Sequence, residues 1–262
     1  MKTGVLVHGC NLNIENWRHV AWGDPPGQLG RIPQGILVAH QFQADTIVFG
    51  TGASSKEFRL GRHANGAKSD DDSNADRKLL EAEYSLEYLR QYFDSLRSFD
   101  AFKESIPEVA SEQGWAKFRE SLLSRIVLDI ESQNTIEEIK AAAEVFLAAD
   151  IEQVILVSSP SHVVRCLRDA TSIFASDQRL AGLQHRILAS PSITCYEGTV
   201  PSDVVVVEPP HRPDRHVVPT HRRIQRMLTL QQLNHDDLVL LIEEFDDLLQ
   251  RYEHRYFNEP GN

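Results

Sequence analysis

The tightest constraint on this chain is a set of short apolar runs rich in Val, Ile and Leu, at 4–7, 45–49, 125–128, 153–157, 186–188 and 203–207. Several are followed directly by Gly, Ser, Asn or Pro, as strands buried on both faces of a parallel sheet are. The stretches between them have helical periodicity. Residues 77–93 put Leu79, Leu80, Tyr84, Leu86 and Leu89 near one stripe, and 135–149 repeats Ile139, Ala142, Ala143, Phe146 and Leu147 at amphipathic spacing. Strand and helix in alternation predict an α/β layer sandwich with right-handed crossovers. Ligands of such sheets sit at the carboxyl ends of the strands, so the loops after the apolar runs are the place to look for function.

Three stretches depart from the alternation. Residues 54–76 hold Gly61, Gly66 and the acidic run Asp70-Asp71-Asp72, which predicts a long loop. Residues 95–124, with Phe99, Phe102, Trp115 and Phe118, predict one or two short helices forming a small lobe over the sheet. Beyond 207, Pro209, Pro210 and Pro213 break regular structure, and 236–256 then carries Leu238, Leu241, Ile242, Phe245, Leu248, Leu249 and Tyr252 on one helical face. The organisation predicted is an α/β domain over 1–210, with insertions near 54–76 and 95–124, followed by a linker and C-terminal helix over 211–262. That helix packs on the domain or on a second copy, which would give a homo-oligomer.

Lys and Arg number 27 against 38 Asp and Glu, a formal net charge of -11, so the long-range field repels phosphates and argues against non-specific nucleic-acid binding. Cys10, Cys166 and Cys195 are far apart and odd in number, which suggests reduced thiols rather than a disulfide framework or zinc ribbon. The apolar run after Lys2 is too short for a signal-peptide core, and nowhere do 18 apolar residues run together. A cytoplasmic protein without a membrane partner is expected.

Two loops concentrate chemistry. Asp129-Ile130-Glu131-Ser132-Gln133-Asn134-Thr135 follows a strand and opens a helix that Asn134 or Thr135 can cap, with Glu137 or Glu138 in its acidic first turn. Ser158-Ser159-Pro160-Ser161-His162-Val163-Val164-Arg165 also joins strand to helix, and His162 and Arg165, three apart, can lean over the same spot at a helix N-terminus.

The spacing of Asp129, Ser132, Asn134, Thr135 and Glu137 resembles the acidic-x-x-Ser-x-Asn-Thr-x-Glu element of YdcF/SanA/ElyC-like proteins, and the Ser158 to Arg165 loop resembles their Thr-Ser-x-x-His-x-x-Arg element. Arg31 before a helix over 32–43, the turn Gly50-Thr51-Gly52, and Glu81-Ala82 at a helix start are similar to further elements of the same family, over about 4–207. His8-Gly9-Cys10-Asn11 stands where many members have a Gly-rich turn, and Ser158 where Thr is usual. The resemblance implies a three-layer Rossmann-like sandwich with a mostly parallel sheet. Without an anchor the chain looks most like the YdcF branch, for which S-adenosylmethionine is the implied ligand.

The same residues, taken physically, outline a polar site. Gly9 and Gly50 to Gly52 allow close backbone approach; Asn11, Arg31, Thr51, Ser132, Asn134, Thr135, Ser158 and Ser159 offer ligand contacts. His162, Arg165, Asp129 and Glu81 are the candidate catalytic groups. A nucleotide-like or phosphorylated small molecule is the expected ligand, with a hydrolase of phosphate or glycosidic bonds using His162 and Arg165, or a transferase, as the enzymatic readings. A non-enzymatic scaffold that recruits a partner through the tail helix is the third reading. Asp129, Glu81 and His162 would make a donor set for a divalent metal only if they met in space. Cys10 fits a buried thiol better than a nucleophile. The His/Arg cluster of 211–226 would suit a phosphate or an acidic partner, and otherwise balances the acidic helix after it. Gly50-Thr51-Gly52 lacks the third glycine of a dinucleotide fingerprint.

Overall fold

The computed structural model describes residues 1–58 and 78–195, together with 239–241, 243, 244, 246 and 247. The chain divides into two compact units, Met1–Val205 and Val206–Asn262. In the second, the described residues between 239 and 247 are helical, with Val239 and Leu240 exposed and Leu241 half-buried. The expected strand at 203–207, the His/Arg cluster of 211–226, most of the loop at 54–76 and the rest of the tail helix lie outside the described residues.

In the first unit, β1 (Thr3–Val7), β4 (Thr46–Phe49) and β8 (Gln153–Ser158) are buried along their whole length, as their unbroken apolar runs predict. With β7 (Ile126–Leu128) and β9 (Ile187–Pro191) they form one sheet in the order β7-β4-β1-β8-β9, every pairing parallel. The two outer strands are only partly buried. Side-chain alternation sorts the inner strands onto two cores. Val5, Val7, Ile47, Phe49, Ile155 and Val157 face α2 (Arg31–Gln41) and the helical lobe, whereas Leu6, Val48, Val154 and Leu156 pack with Phe146 of α6 (Thr135–Ala148) and with Cys166 and Phe174 of α7 (Pro160–Ser176). A mostly parallel sheet between helices is the α/β fold expected, consistent with a Rossmann-like arrangement.

The chain starts in the middle of the sheet. By way of α1 (Trp17–Ala21), the antiparallel pair β2 (Gly23–Asp24) and β3 (Gln28–Leu29), and α2, it moves from β1 outward to β4 and β7, then returns to β8 on the other flank of β1. The connections after β1 and β8 therefore depart in opposite directions at the carboxyl ends of that pair, the position where open α/β sheets usually carry a ligand crevice.

Three local expectations are corrected. The helix expected over 77–93 starts at Glu81 instead, because β6 (Lys78–Leu80) pairs antiparallel with β5 (Ser55–Glu57). Leu79 and Leu80 thus belong to a ribbon preceding α3 (Glu81–Tyr92), and 55–57 are strand rather than loop. Arg31 is the first residue of α2 rather than the one before it, and that helix ends at Gln41 because Gln43 takes a positive φ of 50°. Over 95–124 the chain forms α4 (Asp100–Ser105) and α5 (Glu112–Leu123) with intervening 3-10 turns, and Phe99, Phe102, Trp115 and Phe118 there are buried together with Phe93. Among the described residues no helix is long and apolar enough to cross a membrane.

Candidate functional site

The ends of β1 and β8 bring the site together. The sheet ladder continues one residue past β1, where the His8 amide donates to Val157 O at 3.0 Å, and Gly50 N donates to Val7 O at 2.8 Å. His8 sits two residues beyond Leu6 and so projects to the same face, toward α6 and α7. There its Nδ1 lies 2.8 Å from Glu138 Oε2, with the imidazole fully buried and Glu138 nearly so. Glu138 Oε1 accepts from the Gly9 amide at 2.8 Å, so one carboxylate fixes both the ring and the backbone turn. Burial opposes a charge on His8, but the attraction of Cys166 and Glu138 outweighs it and raises the pKa to about 10. The carboxylate accepts only, so Nδ1 is a donor.

His162 meets His8 edge-on, with ring centroids 5.8 Å apart. Its Nδ1 is 2.8 Å from Ser158 Oγ. Its Nε2 is 2.9 Å from an Arg165 terminal nitrogen and 3.2 Å from Thr135 Oγ1, and the same Arg165 nitrogen donates to Thr135 Oγ1 at 2.7 Å. A guanidinium can only donate, so Nε2 is the acceptor and the His162 proton resides on Nδ1, donating to Ser158. Burial, then the charges of Arg31, His8 and Arg165, drive the His162 pKa down to about 2. The two histidines are thus pushed in opposite directions, His8 upward beside a carboxylate and His162 downward among cations.

On the opposite face the buried Arg31 bridges two segments. One terminal nitrogen donates to Gly9 O and the other to Ser159 Oγ at 2.8 Å, linking the segments that follow β1 and β8. Glu81, first residue of α3, accepts from Ser54 Oγ at 2.6 Å and from the Ser54 amide at 3.3 Å. Burial raises its pKa, the Ser54 hydrogen bonds oppose that, and Glu138 adds to the rise.

The structure therefore unites Thr135, Ser158, His162 and Arg165, and unites Gly9, Arg31 and Ser159. Other expected site residues have local roles. Asn134 is exposed and caps α6, its Oδ1 accepting from the Ile136 and Glu137 amides, each at 3.1 Å. Its neighbour Thr135, rather than Asn134, reaches His162. Asn11 is exposed and accepts from the Asn13 amide at 2.9 Å. Asp129 Oδ1 accepts from the amides of Glu131 and Ser132 within its own loop, and Ser132 is buried beside it. The glycines do give close approach, but to the protein's own carboxylates. A Cβ on Gly50 would lie 2.3 Å from Glu138 Oε1, and one on Gly52 would lie 2.8 Å from Glu81 Oε1.

Among the described residues no group of three or more His, Cys, Asp or Glu is placed to hold a metal ion. Glu81 turns to Ser54, Asp129 to its own loop and His162 to Ser158 and Thr135, so the donor set considered above is not assembled. Cys10 is a buried thiol, as expected, and its carbonyl accepts from the Trp17 indole at 3.2 Å. Reasoning from sequence missed His8, Glu138 and Cys166. Glu138 was visible only as a first-turn acid, and Cys166, four residues past His162 and 3.5 Å from its Nδ1, only as a thiol on the same helical face.

Comparison of the chain with protein-family models, with curated proteins and with solved structures gives no match.

Proposed function

We propose that this YdcF-like α/β protein binds a nucleotide-like or phosphorylated small molecule in the crevice between the ends of β1 and β8, with S-adenosylmethionine a candidate. The observation that carries this reading is the convergence of Arg165, His162, Thr135 and Ser158 at that crevice, with Arg31 and the His8–Glu138 pair behind them. Hydroxyls and cationic donors together suit an oxyanion, and the start of α7 adds the positive end of a helix dipole. Calorimetry and thermal shift against S-adenosylmethionine, AMP and sugar phosphates test the reading. A selective ligand should raise the unfolding temperature, and Arg165→Ala should abolish that rise. No response to any of these anions would refute the proposal.

A second reading, hydrolysis of a phosphate or glycosidic bond, is favoured by the neutral state of His162, whose Nε2 carries a lone pair beside the Arg165 guanidinium. An arriving anion would offset the neighbouring cations and restore basicity to the ring, so His162 could take a proton from water while Arg165 stabilises developing negative charge. His162→Ala should then eliminate turnover of a phosphoester substrate with affinity nearly intact. Equal loss of both favours binding alone.

A further inference from the structure

Arg165 and His162 present a hydrogen-bond donor and an acceptor side by side in the first turns of α7. Arg165 is exposed and His162 half-buried, so both reach solvent, whereas Thr135 and Ser158 behind them are buried. Neighbours fix the polarity of each atom. A guanidinium only donates, and Arg165 directs one terminal nitrogen at His162 Nε2, 2.9 Å away, and at Thr135 Oγ1, 2.7 Å away. Nε2 therefore carries a lone pair. The one ring hydrogen lies on Nδ1, 2.8 Å from the fully buried Ser158 Oγ. The charged and titratable groups that face the ring are Arg31 from α2, His8 from the end of β1, and Arg165 and Cys166 from α7. Glu138 of α6 faces His8 instead. Burial and these cations push the His162 pKa down, so solvent acid is a poor source of a second ring hydrogen.

Such a pair sorts oxyanions by their hydrogens. An oxyanion that accepts from Arg165 sets a second oxygen against Nε2. If that oxygen bears no hydrogen, two lone pairs face each other, and the hydrogen bond that Nε2 received from Arg165 is lost without replacement. If the oxygen is a hydroxyl of the anion itself, it donates to Nε2 while its charged neighbour accepts from Arg165. Phosphate monoesters carry that hydroxyl in their singly charged form, which persists up to a second pKa of about 6. Sulfate esters carry none near neutral pH. We infer that the site recognises a phosphate monoester in its singly charged, hydrogen-bearing form, with Arg165 holding a charged oxygen and His162 Nε2 accepting from the P–OH group. Ser158 is then a positioning residue, because it keeps the ring hydrogen on Nδ1. The inference rests on the proposal of an anion-binding site and adds to it the kind of oxyanion and the atom that selects it. Within that proposal it favours nucleotides and sugar phosphates over S-adenosylmethionine, whose carboxylate has no hydrogen to donate at neutral pH.

Titration calorimetry of the full chain with phenyl phosphate and phenyl sulfate, esters of closely similar shape, tests this. At pH 6 the phosphate should bind at least about tenfold tighter than the sulfate. Raising the pH from 6 to 8 should weaken the phosphate about fiftyfold, as its singly charged form is depleted, and leave the sulfate unchanged. His162→Gln replaces the fixed acceptor with an amide that can turn either its oxygen or its nitrogen outward, and Ser158→Ala frees the ring hydrogen to move to Nε2. Each should bring the ratio of the two affinities close to one, whereas loss of a structural contact alone would lower both and keep the ratio. Four results would overturn the inference and leave the anion site standing: equal affinity of the wild type for the two esters, phosphate affinity that holds or rises toward pH 8, sulfate that tightens in acid, or a wild-type ratio in both variants. Failure of both esters to bind the wild type would overturn the inference, and the same failure with AMP and sugar phosphates would remove the anion site as well.

Discussion

His8 and Glu138, 130 residues apart in the chain, meet at 2.8 Å beneath the crevice, with the histidine side chain completely buried. The pair joins the end of the first strand to the first turn of α6, and through the Gly9 amide it also sets the course of the backbone between them. Removing one partner of such a pair leaves a buried charge uncompensated.

Glu138→Gln should therefore cost about 3–5 kcal/mol at neutral pH. Because the folded pKa of His8 is raised from 6.5 to about 10, its contribution is fully present below pH 6.5 and disappears as pH climbs through 10. Urea midpoints of wild type and variant should converge above pH 10. A gap that stays constant from neutral pH to that point would show that the pair is not ionised.

His162 has the opposite sign. Its folded pKa lies far below that of the unfolded chain, so the stability associated with its neutral form is complete above pH 6.5 and decreases as acid protonates the unfolded imidazole. Nitrogen chemical shifts should show a neutral ring protonated at Nδ1 throughout the mildly acidic range. Arg165→Met should move its titration upward, and an unchanged titration would remove Arg165 from the list of causes.

Gly50→Ala should destabilise the protein by about 1–3 kcal/mol, since the added methyl would lie 2.3 Å from Glu138 Oε1 and force the carboxylate off His8. Gly27→Ala, with nothing within 4 Å of the new carbon, is the control and should leave the urea midpoint nearly unchanged.

Adjacent residues Asn134 and Thr135 should separate stability from binding. Asn134→Ala removes the α6 cap and should cost about 1 kcal/mol while anion affinity is preserved. Thr135→Val removes the hydroxyl between Arg165 and His162, and should weaken a phosphate-bearing ligand by about tenfold in calorimetry. Equal affinity loss in both would mean that the start of α6 acts only as a scaffold.

What could be read from the sequence was local. The Asn134 cap, the His162 and Arg165 pairing across one helical turn, the aromatic centre of the lobe and the five described strands of the sheet all follow from spacing within a dozen residues. The β5–β6 ribbon was concealed because Leu79 and Leu80 also satisfy the helical stripe of α3, and periodicity has no means of choosing when both patterns fit. His8 and Glu138 were unreadable for a different reason. Their meeting depends on strand order, which puts β1 at the centre of the sheet and α6 against one face, and no short-range pattern encodes that order. The glycines were taken as sites of close approach by a ligand, whereas the groups that pack against them are the Glu138 and Glu81 carboxylates, which come from helices distant along the chain.

Arg31 holds Gly9 with one arm of its guanidinium and Ser159 with the other, across the division where the two halves of the sheet part. One buried side chain thereby ties together the segments that follow β1 and β8. A ligand bound as proposed would then have little loop freedom to extinguish, and discrimination among molecules would come from fit to a preset outline rather than from closure around whatever enters.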